Sequence, residues 1–225
     1  MKFSGLQKTS LLDYPDRVAS VIFTPGCNLR CPYCHNHKIA TNPQPPFLQE
    51  GVALAILEDR KRYIDSVVVT GGEPCMHREL PKFLSKLKER GFFVKLDTNG
   101  FFPDILQECL SIVDYVAMDV KTTPEKYALL GTSDIAPFKR SIELLKTGNV
   151  PYEFRITVVP EFVDEADIPV IGELVKGAKV LVLQQFVPND TLDRRFTTIK
   201  PYTPEVIERF AQVLKSYVDA IVLKL

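Results

Sequence analysis

The 225-residue sequence lacks several features that define broad classes of protein. Its 28 basic and 28 acidic residues cancel, so it has no excess positive charge for the phosphates of duplex nucleic acid. No apolar run approaches the roughly 20 residues of a membrane span. The start of the chain, from Met1 to Gly5, also lacks the apolar core of a signal peptide. We therefore expect a cytoplasmic protein whose partners are neither membranes nor nucleic acids.

Cysteine is scarce, and its distribution does not suggest a disulfide framework. The chain has five cysteines, an odd number, and three of them are clustered. Neither a phosphate-binding P-loop nor a Ser/His/Asp arrangement is apparent. With 45% hydrophobic residues the chain is able to bury a sizeable core, and residues 1–225 are predicted to form one domain.

The clustered cysteines are Cys27, Cys31 and Cys34, with the spacing C-x3-C-x2-C. Thiolates so close together repel one another, and a soft metal centre removes that repulsion by coordinating them. Structural zinc normally takes four closed ligands, and ferredoxin-type clusters also take four cysteines. A four-iron cluster held by three cysteines would leave one iron open to a substrate or cofactor.

Two other interpretations of the cysteines remain open at this point. The first is a redox-labile group of thiols, and the second is a zinc knuckle completed by His35 or His37. Cys75 is available as a fourth ligand, although it follows a Gly-Gly-Glu-Pro turn that has another use. Cys109 lies at helical spacing among apolar residues and is predicted to be part of the core.

Strand-like and helix-like segments alternate along the chain, which predicts βαβ units with parallel strands. The predicted strands are 17–24, 66–70, 93–97, 115–119, 152–159, 179–183 and 220–223, and the predicted helices are 48–63, 80–90, 103–110, 136–146, 165–176 and 204–217. These give about six units, fewer than the eight of a closed TIM barrel. The expected fold class is therefore α/β, an open partial (βα)6 barrel whose lateral gap would admit a large substrate.

Unusual polar residues follow several of these strands, where a parallel barrel places its active site. The cysteines follow the first strand. The ends of the second, third and fourth strands carry, in turn, Gly71-Gly72-Glu73, Asp97-Thr98 and Asp119-Val-Lys121. Gly71 and Gly72 either form a tight turn or let the backbone approach a ligand. Asp97 and Asp119 are either solvated loop acids or caps of the next helix, or else they bind a small cation or accept hydrogen bonds from ribose hydroxyls. Arg155, inside an apolar strand, needs a partner, either a ligand carboxylate or an internal acid.

The segment Gly26–Asn36, with the sequence Gly-Cys-Asn-Leu-Arg-Cys-Pro-Tyr-Cys-His-Asn, resembles the signature of the radical S-adenosylmethionine (SAM) superfamily. Within it, the segment resembles the glycyl-radical-enzyme activases, in particular those that activate anaerobic ribonucleoside-triphosphate reductase. Leu12–Pro15 resembles the N-terminal approach segment of these activases, here about residues 1–17. The resemblance also implies the (βα)6 form.

The resemblance implies a [4Fe-4S] cluster on Cys27, Cys31 and Cys34, with SAM chelating the open iron through its amino and carboxylate groups. Reductive cleavage of SAM would give methionine and a 5′-deoxyadenosyl radical. That radical would abstract hydrogen from a glycine Cα of a partner glycyl-radical enzyme, most naturally the anaerobic reductase. A reductant such as flavodoxin or ferredoxin would supply the electron.

The resemblance also implies roles for individual residues. Gly71, Gly72 and Glu73 would receive the SAM amino group, and Tyr33 would contact the adenine by stacking or through its backbone. Asp97, Thr98 and Asp119 would hold Na+ or K+ beside SAM, and Lys121 would pair with the SAM carboxylate. Related activases place a histidine after the sixth strand. This chain has Gln184 and Gln185 there, and a hydrogen bond from Gln185 is the expected replacement.

Three alternatives to activation of the anaerobic reductase are retained. A pyruvate formate-lyase-type partner would use the same chemistry. A radical SAM enzyme for a small molecule, such as a 7-carboxy-7-deazaguanine synthase, would share the short partial barrel. A non-catalytic zinc module would be colourless and leave SAM intact. No second cysteine-rich insert lies between Cys34 and Gly71, so a single cluster is expected.

Overall fold

Eight strands form one open sheet in the computed structural model, which describes residues 1–225. The strands of the chain are β1 (Lys2–Phe3), β2 (Gly5–Tyr14), β3 (Arg17–Thr24), β4 (Leu48–Gln49), β5 (Ser66–Gly71), β6 (Phe93–Thr98), β7 (Tyr115–Asp119), β8 (Tyr152–Val158), β9 (Val180–Gln185) and β10 (Ala220–Lys224). The sheet has the order β2-β3-β5-β6-β7-β8-β9-β10, while β1 and β4 form a separate antiparallel pair. Every neighbouring pair from β3 to β10 is parallel, and β2 is antiparallel to β3.

Helices connect the parallel strands and cover the sheet. They are α1 (His37–Thr41), α2 (Glu50–Arg60), α3 (Leu80–Glu89), α4 (Pro103–Cys109), α5 (Ala136–Thr147), α6 (Ile168–Leu174) and α7 (Pro204–Leu214). Six βα units therefore run from β3 to α7, and β10 adds a last parallel strand. The sheet curls into a partial barrel, and it stays open because its edge strands, β2 and β10, do not pair with each other. This confirms the predicted fold class.

The apolar pattern of the helices explains how they pack on the sheet. In α3, Leu80, Phe83, Leu84 and Leu87 all lie on the core side and are fully buried. This is the i, i+3, i+4, i+7 spacing of an amphipathic helix. The predicted helix 165–176 is instead a 3-10 turn, Glu165–Asp167, followed by α6, in which Pro169 occupies the first turn. Proline fits there because its missing N–H has no helical partner to lose. No helix in the chain has the length and apolar character needed to traverse a bilayer.

The N-terminal segment forms a hairpin that the sequence did not predict. Residues 1–17 showed only a turn at Tyr14–Asp16, but β2 pairs with β3 through that turn. Half of the side chains of β2 are exposed, including Leu11 at 72% and Leu12 at 83%. An edge strand with so little buried surface has no clear alternation of apolar and polar residues to identify it.

Candidate functional site

One cavity opens at the carboxyl ends of the parallel strands, as expected for a barrel of this type. The loop between β3 and α1 forms one wall, the ends of β5 to β8 form most of the rest, and α1 and the segment after β9 complete it. All the predicted site residues except Gln185 line it: Cys27, Cys31, Tyr33, Cys34, Gly71, Gly72, Glu73, Asp97, Thr98, Asp119, Lys121 and Arg155. The fold therefore gathers in one place residues that are far apart in the sequence.

Backbone hydrogen bonds from distant parts of the chain hold the cysteine loop. The N–H of Gly26 donates to the carbonyl of Ile39 over 2.8 Å, and the N–H of Arg30 donates to Leu130 over 2.8 Å. The N–H of Asp193 donates to the carbonyl of Pro32 over 2.8 Å. The loop is thus fixed against α1, the segment before α5 and the segment after β9.

The three cysteines present unpaired thiols to the cavity, and donors point at one of the sulfur atoms. The N–H of Leu29 lies 3.4 Å from Cys27 Sγ, and Asn99 Nδ2 lies 3.6 Å from the same atom. Burial raises the pKa of Cys31 to about 12, partly opposed by the nearby Lys121. Thiols in such a place ionise readily only when a metal centre takes their charge. Soft sulfur donors with N–H groups directed at them suit an iron–sulfur cluster.

The geometry disfavours a zinc knuckle and a fourth cysteine ligand. No three or more His, Cys, Asp and Glu side chains converge on a point where one metal ion would sit. The thiolates of a cubane bind different irons, so they stand farther apart than the ligands of a single ion. Cys75 and Cys109 are fully buried and do not line the cavity. His37 Nε2 contacts Asp190 Oδ1 at 3.3 Å instead.

The Gly71-Gly72 pair allows a close approach between two parts of the chain itself. A Cβ at Gly72 would lie 1.8 Å from the carbonyl oxygen of Gly26, and Gly71 has a φ of +117°. The N–H of Gly72 donates to Thr24 over 2.9 Å, and the N–H of Glu73 donates to Gly26 over 2.8 Å. They join the end of β5 to the start of the cysteine loop. Both glycines also line the cavity, so their expected contact with the SAM amino group stays a prediction.

Glu73 is buried at 1% exposure, and it links two of the strand ends. Its Oε1 accepts hydrogen bonds from the N–H of Cys75 at 2.9 Å and from Thr98 Oγ1 at 2.7 Å. Its Oε2 accepts from the N–H of Asn99 at 2.6 Å. These hydrogen bonds within the chain use much of the acceptor capacity of the carboxylate that was expected to bind the SAM amino group. They also fix the turn after β6.

The burial of Glu73 has a consequence for stability against pH. Burial raises its pKa to about 7, although hydrogen bonds from Asn99, Thr98 and Cys75 act in the opposite direction. The folded chain then keeps a proton that the unfolded chain loses above about pH 4.5, so stability falls as the pH rises towards 7. We expect the free energy of unfolding of Glu73→Gln, relative to that of the wild type, to increase by up to about 3 kcal/mol over this pH range. Chemical denaturation at several pH values measures it. Parallel profiles would contradict this, and Glu79→Gln, at an exposed glutamate, is the control.

Arg155 finds its partners among internal acids. Its Nε lies 2.9 Å from Asp119 Oδ1, and its Nη1 lies 3.2 Å from Asp97 Oδ2. Lys121 Nζ donates to Asp119 Oδ2 over 2.7 Å. Burial by itself would raise the pKa of Asp119, but Arg155 and Lys121 outweigh it and hold that pKa well below its usual range. Of the two predicted partners for Arg155, the structure shows the internal one.

The ring of Tyr33 is mostly buried among other aromatic rings, which bears on its two expected roles. The residue is 6% exposed, and its ring packs against Phe162, Phe186 and Phe196 with centroids 5.1, 6.4 and 6.1 Å away. These contacts anchor the cysteine loop in the core and leave little of the ring for an adenine to stack on. They favour the backbone contact of the two expected roles, which both stay predictions.

Gln185 does not line the cavity, so its expected replacement of a histidine gains no support and stays a prediction. Its Nε2 donates to the carbonyl of Tyr202 over 3.1 Å, outside the cavity wall. Phe186 lines the cavity at this end of the sheet. The exposed ring of His35 stacks beside it, with Nε2 2.8 Å from the carbonyl oxygen of Val187.

Two residues that matter to the site were not identified from the sequence. Asn99 was seen only as part of a turn, yet its Nδ2 reaches both Cys27 and Asn28 Oδ1, the latter over 2.8 Å. Lys95 lies inside β6 with 1% of its side chain exposed and pairs with Asp97. A charge within an apolar strand was the signal that singled out Arg155, and it applies equally to Lys95.

Comparisons with known proteins bear on the family. The sequence model of the radical SAM superfamily matches residues 21–170. A Methanocaldococcus jannaschii protein, provisionally named a glycyl-radical enzyme activating enzyme, is 34% identical over 230 residues, which cover 98% of this chain and 95% of that protein. The pyruvate formate-lyase 1-activating enzyme of Escherichia coli K12 is 26% identical over 221 residues, covering 88% of each chain.

Two further similarities extend to proteins with other names. The 7-carboxy-7-deazaguanine synthase of Thermococcus kodakarensis is 25% identical over 184 residues, covering 72% of each chain. The crystal structure of QueE from Escherichia coli has a TM-score of 0.60 at 16% identity and covers 99% of this chain and 93% of that one. At such low identity the structural similarity supports the fold alone.

Proposed function

Since the chain belongs to the radical SAM superfamily, we propose that it generates a glycyl radical on a partner enzyme, an anaerobic (class III) ribonucleoside-triphosphate reductase. The observation that carries the proposal is that the cysteine loop and the ends of β5 to β8 line one cavity. Relatives named as activating enzymes match nearly the whole chain, which favours a protein substrate. The resemblance of Gly26–Asn36 to activases of the anaerobic reductase supports this choice of partner.

The residues of the cavity suit the binding of a cluster and SAM. Cys27, Cys31 and Cys34 would hold the cluster, and Asn99 and the N–H of Leu29 orient the Cys27 sulfur. When bound, the cluster supplies the electron that cleaves SAM into methionine and the hydrogen-abstracting radical. Lys121 offers positive charge at the cavity wall for the methionine carboxylate. The buried ring of Tyr33 and its phenylalanine neighbours close the base of the loop against water.

The sheet edges suit a protein substrate. Because β2 and β10 remain unpaired with each other, the barrel has an open side. A glycine-bearing loop of the partner is flexible enough to enter through such a gap. We place the reaction in the cytoplasm, where the five free thiols stay reduced and flavodoxin or ferredoxin supplies the electron.

The expected Na+ or K+ is not part of this proposal. It would require oxygen atoms of Asp97, Thr98 and Asp119, and these atoms already have partners in the chain. The residues present do not fit a bound monovalent cation.

The proposed function is tested with anaerobically reconstituted protein, SAM, a reductant and the purified reductase. We expect stoichiometric 5′-deoxyadenosine and a glycyl-radical EPR signal on the reductase, absent when its radical-site glycine is replaced by alanine. A glycyl-radical signal on pyruvate formate-lyase, with none on the reductase, would show that the partner is of the pyruvate formate-lyase type. Turnover of the substrate of 7-carboxy-7-deazaguanine synthase, with no protein radical, would overturn the activase function. A colourless zinc-bound chain that leaves SAM intact would overturn both the activase function and the assignment of a cluster to the three cysteines.

A further inference from the structure

Lys95 is a buried charge that the proposed function does not use. It is the third residue of β6, and 1% of its side chain is exposed. Lysine is almost never fully buried unless it is paired, because removing an ammonium group from water is costly. Its Nζ lies 2.5 Å from Asp97 Oδ1. Residues two apart on a strand share a face, so Lys95 lies beneath Asp97 inside the barrel.

Five charged side chains form a continuous series under the cavity, in the order Lys95, Asp97, Arg155, Asp119 and Lys121. The successive contacts are 2.5, 3.2, 2.9 and 2.7 Å long. Their charges alternate, with three positive groups around two carboxylates. The strands bring them together, because Asp119 of β7 is directly paired with Arg155 of β8.

This series leaves no vacant oxygen for a monovalent cation. Each oxygen of Asp97 and each oxygen of Asp119 contacts a lysine or the arginine. Thr98 Oγ1 donates to Glu73 and accepts from the N–H of Gly100 over 3.1 Å. An added cation would face three positive groups, and at each carboxylate oxygen it would compete with a lysine or the arginine.

The space around Lys95 also suits a tethered ammonium group. Ala117, on β7, is paired in register with Asp97 and is fully buried. Its side chain ends at Cβ, so the interior at that level has room for the lysine and arginine side chains. Glu153, the next acid on β8, is 4% exposed and accepts a hydrogen bond from Tyr115 at 3.1 Å. It balances the third positive charge without facing the cavity.

We propose that the ammonium group of Lys95 takes the place of the monovalent cation that the family resemblance implies, so that SAM binding by this chain is independent of Na+ and K+. Lys95 is a positioning residue: it holds Asp97, and through Arg155 it holds Asp119, at the cavity wall. The inference rests on the proposed SAM site, but part of its test uses protein without cluster or SAM and is independent of the partner enzyme.

The first test compares KCl, NaCl and choline chloride at equal ionic strength. For the unloaded wild type we expect the same melting temperature in all three salts. Lys95→Met exposes Asp97 Oδ1, so its melting temperature should rise in KCl or NaCl relative to choline chloride. Lys88→Met is the matched control, because Lys88 pairs with Asp114 at 2.6 Å away from the cavity. A variant that melts lower by the same amount in every salt would reduce Lys95 to a structural role and overturn the proposal.

The second test measures SAM affinity of the reconstituted protein by calorimetry. The wild-type Kd should agree within about twofold among the three salts. Lys95→Met should bind SAM about tenfold more weakly in choline chloride and recover in KCl or NaCl. Should Lys95→Met fail to fold, thallium-205 NMR on the wild type decides the matter. Saturable Tl+ binding competed by K+ would overturn the proposal, and its absence would support it.

Discussion

Cys31→Ala is expected to leave a folded chain that retains no four-iron cluster and cleaves SAM at least about a thousandfold more slowly. Cys31 lies at the centre of the cysteine loop with 8% of its surface exposed. Two remaining thiolates cannot hold a cluster that already lacks a fourth protein ligand. The loop itself should stay in place, because backbone hydrogen bonds from Gly26, Arg30 and Asp193 fix it. Iron content, visible absorption and 5′-deoxyadenosine formation measure the loss.

Cys109→Ala is the matched control, since it removes the same thiol from a residue outside the cavity. Cys109 is fully buried at the end of α4. Its replacement should cost about 1–2 kcal/mol of stability and leave the iron content unchanged. Equal iron in both variants would contradict the assignment of Cys31 as a ligand.

Gly72→Ala is expected to cost on the order of 3–4 kcal/mol of stability and to abolish cluster binding. The added Cβ would lie 1.8 Å from the carbonyl oxygen of Gly26, a backbone atom that cannot turn aside like the end of a side chain. Relief requires the loop to move, which breaks the hydrogen bond from the N–H of Glu73 to Gly26. Thermal denaturation and iron content after reconstitution report the two effects.

Gly51→Ala provides the control for this substitution. Gly51 lies in α2, and a Cβ there meets no atom within 4 Å. Alanine favours a helix over glycine by up to about 1 kcal/mol, so this variant should be as stable as the wild type or slightly more so. If Gly72→Ala behaved like Gly51→Ala, the close approach of β5 to the cysteine loop would not be essential.

The sequence was most informative where spacing alone determines the chemistry. Three cysteines within one short loop can serve few purposes, and alternating strand and helix patterns imply a parallel sheet. Since parallel strands place their carboxyl ends at one edge, the positions of Glu73, Asp97 and Asp119 at the cavity followed from the fold.

Individual partners were less accessible, because they depend on which strands become neighbours. Arg155 clearly needed a countercharge, but only the register of β7 and β8 brings it to Asp119. Gln185 ends a strand as the other site residues do, yet its amide turns to Tyr202. Alternation along a strand gives two faces, and the sequence does not say which one lines the cavity.

The glycine pair shows a different limit. Gly71-Gly72 fits a tight turn, a ligand contact or a close chain crossing equally well, because glycine's lack of a Cβ serves all three. The crossing with Gly26 is recognised only once β3 and β5 are known to be adjacent. β2 was not predicted for a different reason. Many of its side chains are exposed, so its sequence has no apolar pattern that indicates a strand of this sheet.

The order of strands across the sheet follows their order along the chain, and this has a consequence for biosynthesis. Each new βα unit can dock on the preceding one as it leaves the ribosome. The cysteine loop is made with the first of these units, but its contact with Leu130 forms only past the middle of synthesis, and its contacts with Val187 and Asp193 form near the end. Until these contacts form, the three thiols are more accessible, both to the machinery that delivers iron and to oxidants. Cluster delivery before the chain is complete would meet a flexible loop, whereas delivery afterwards requires these late contacts to open.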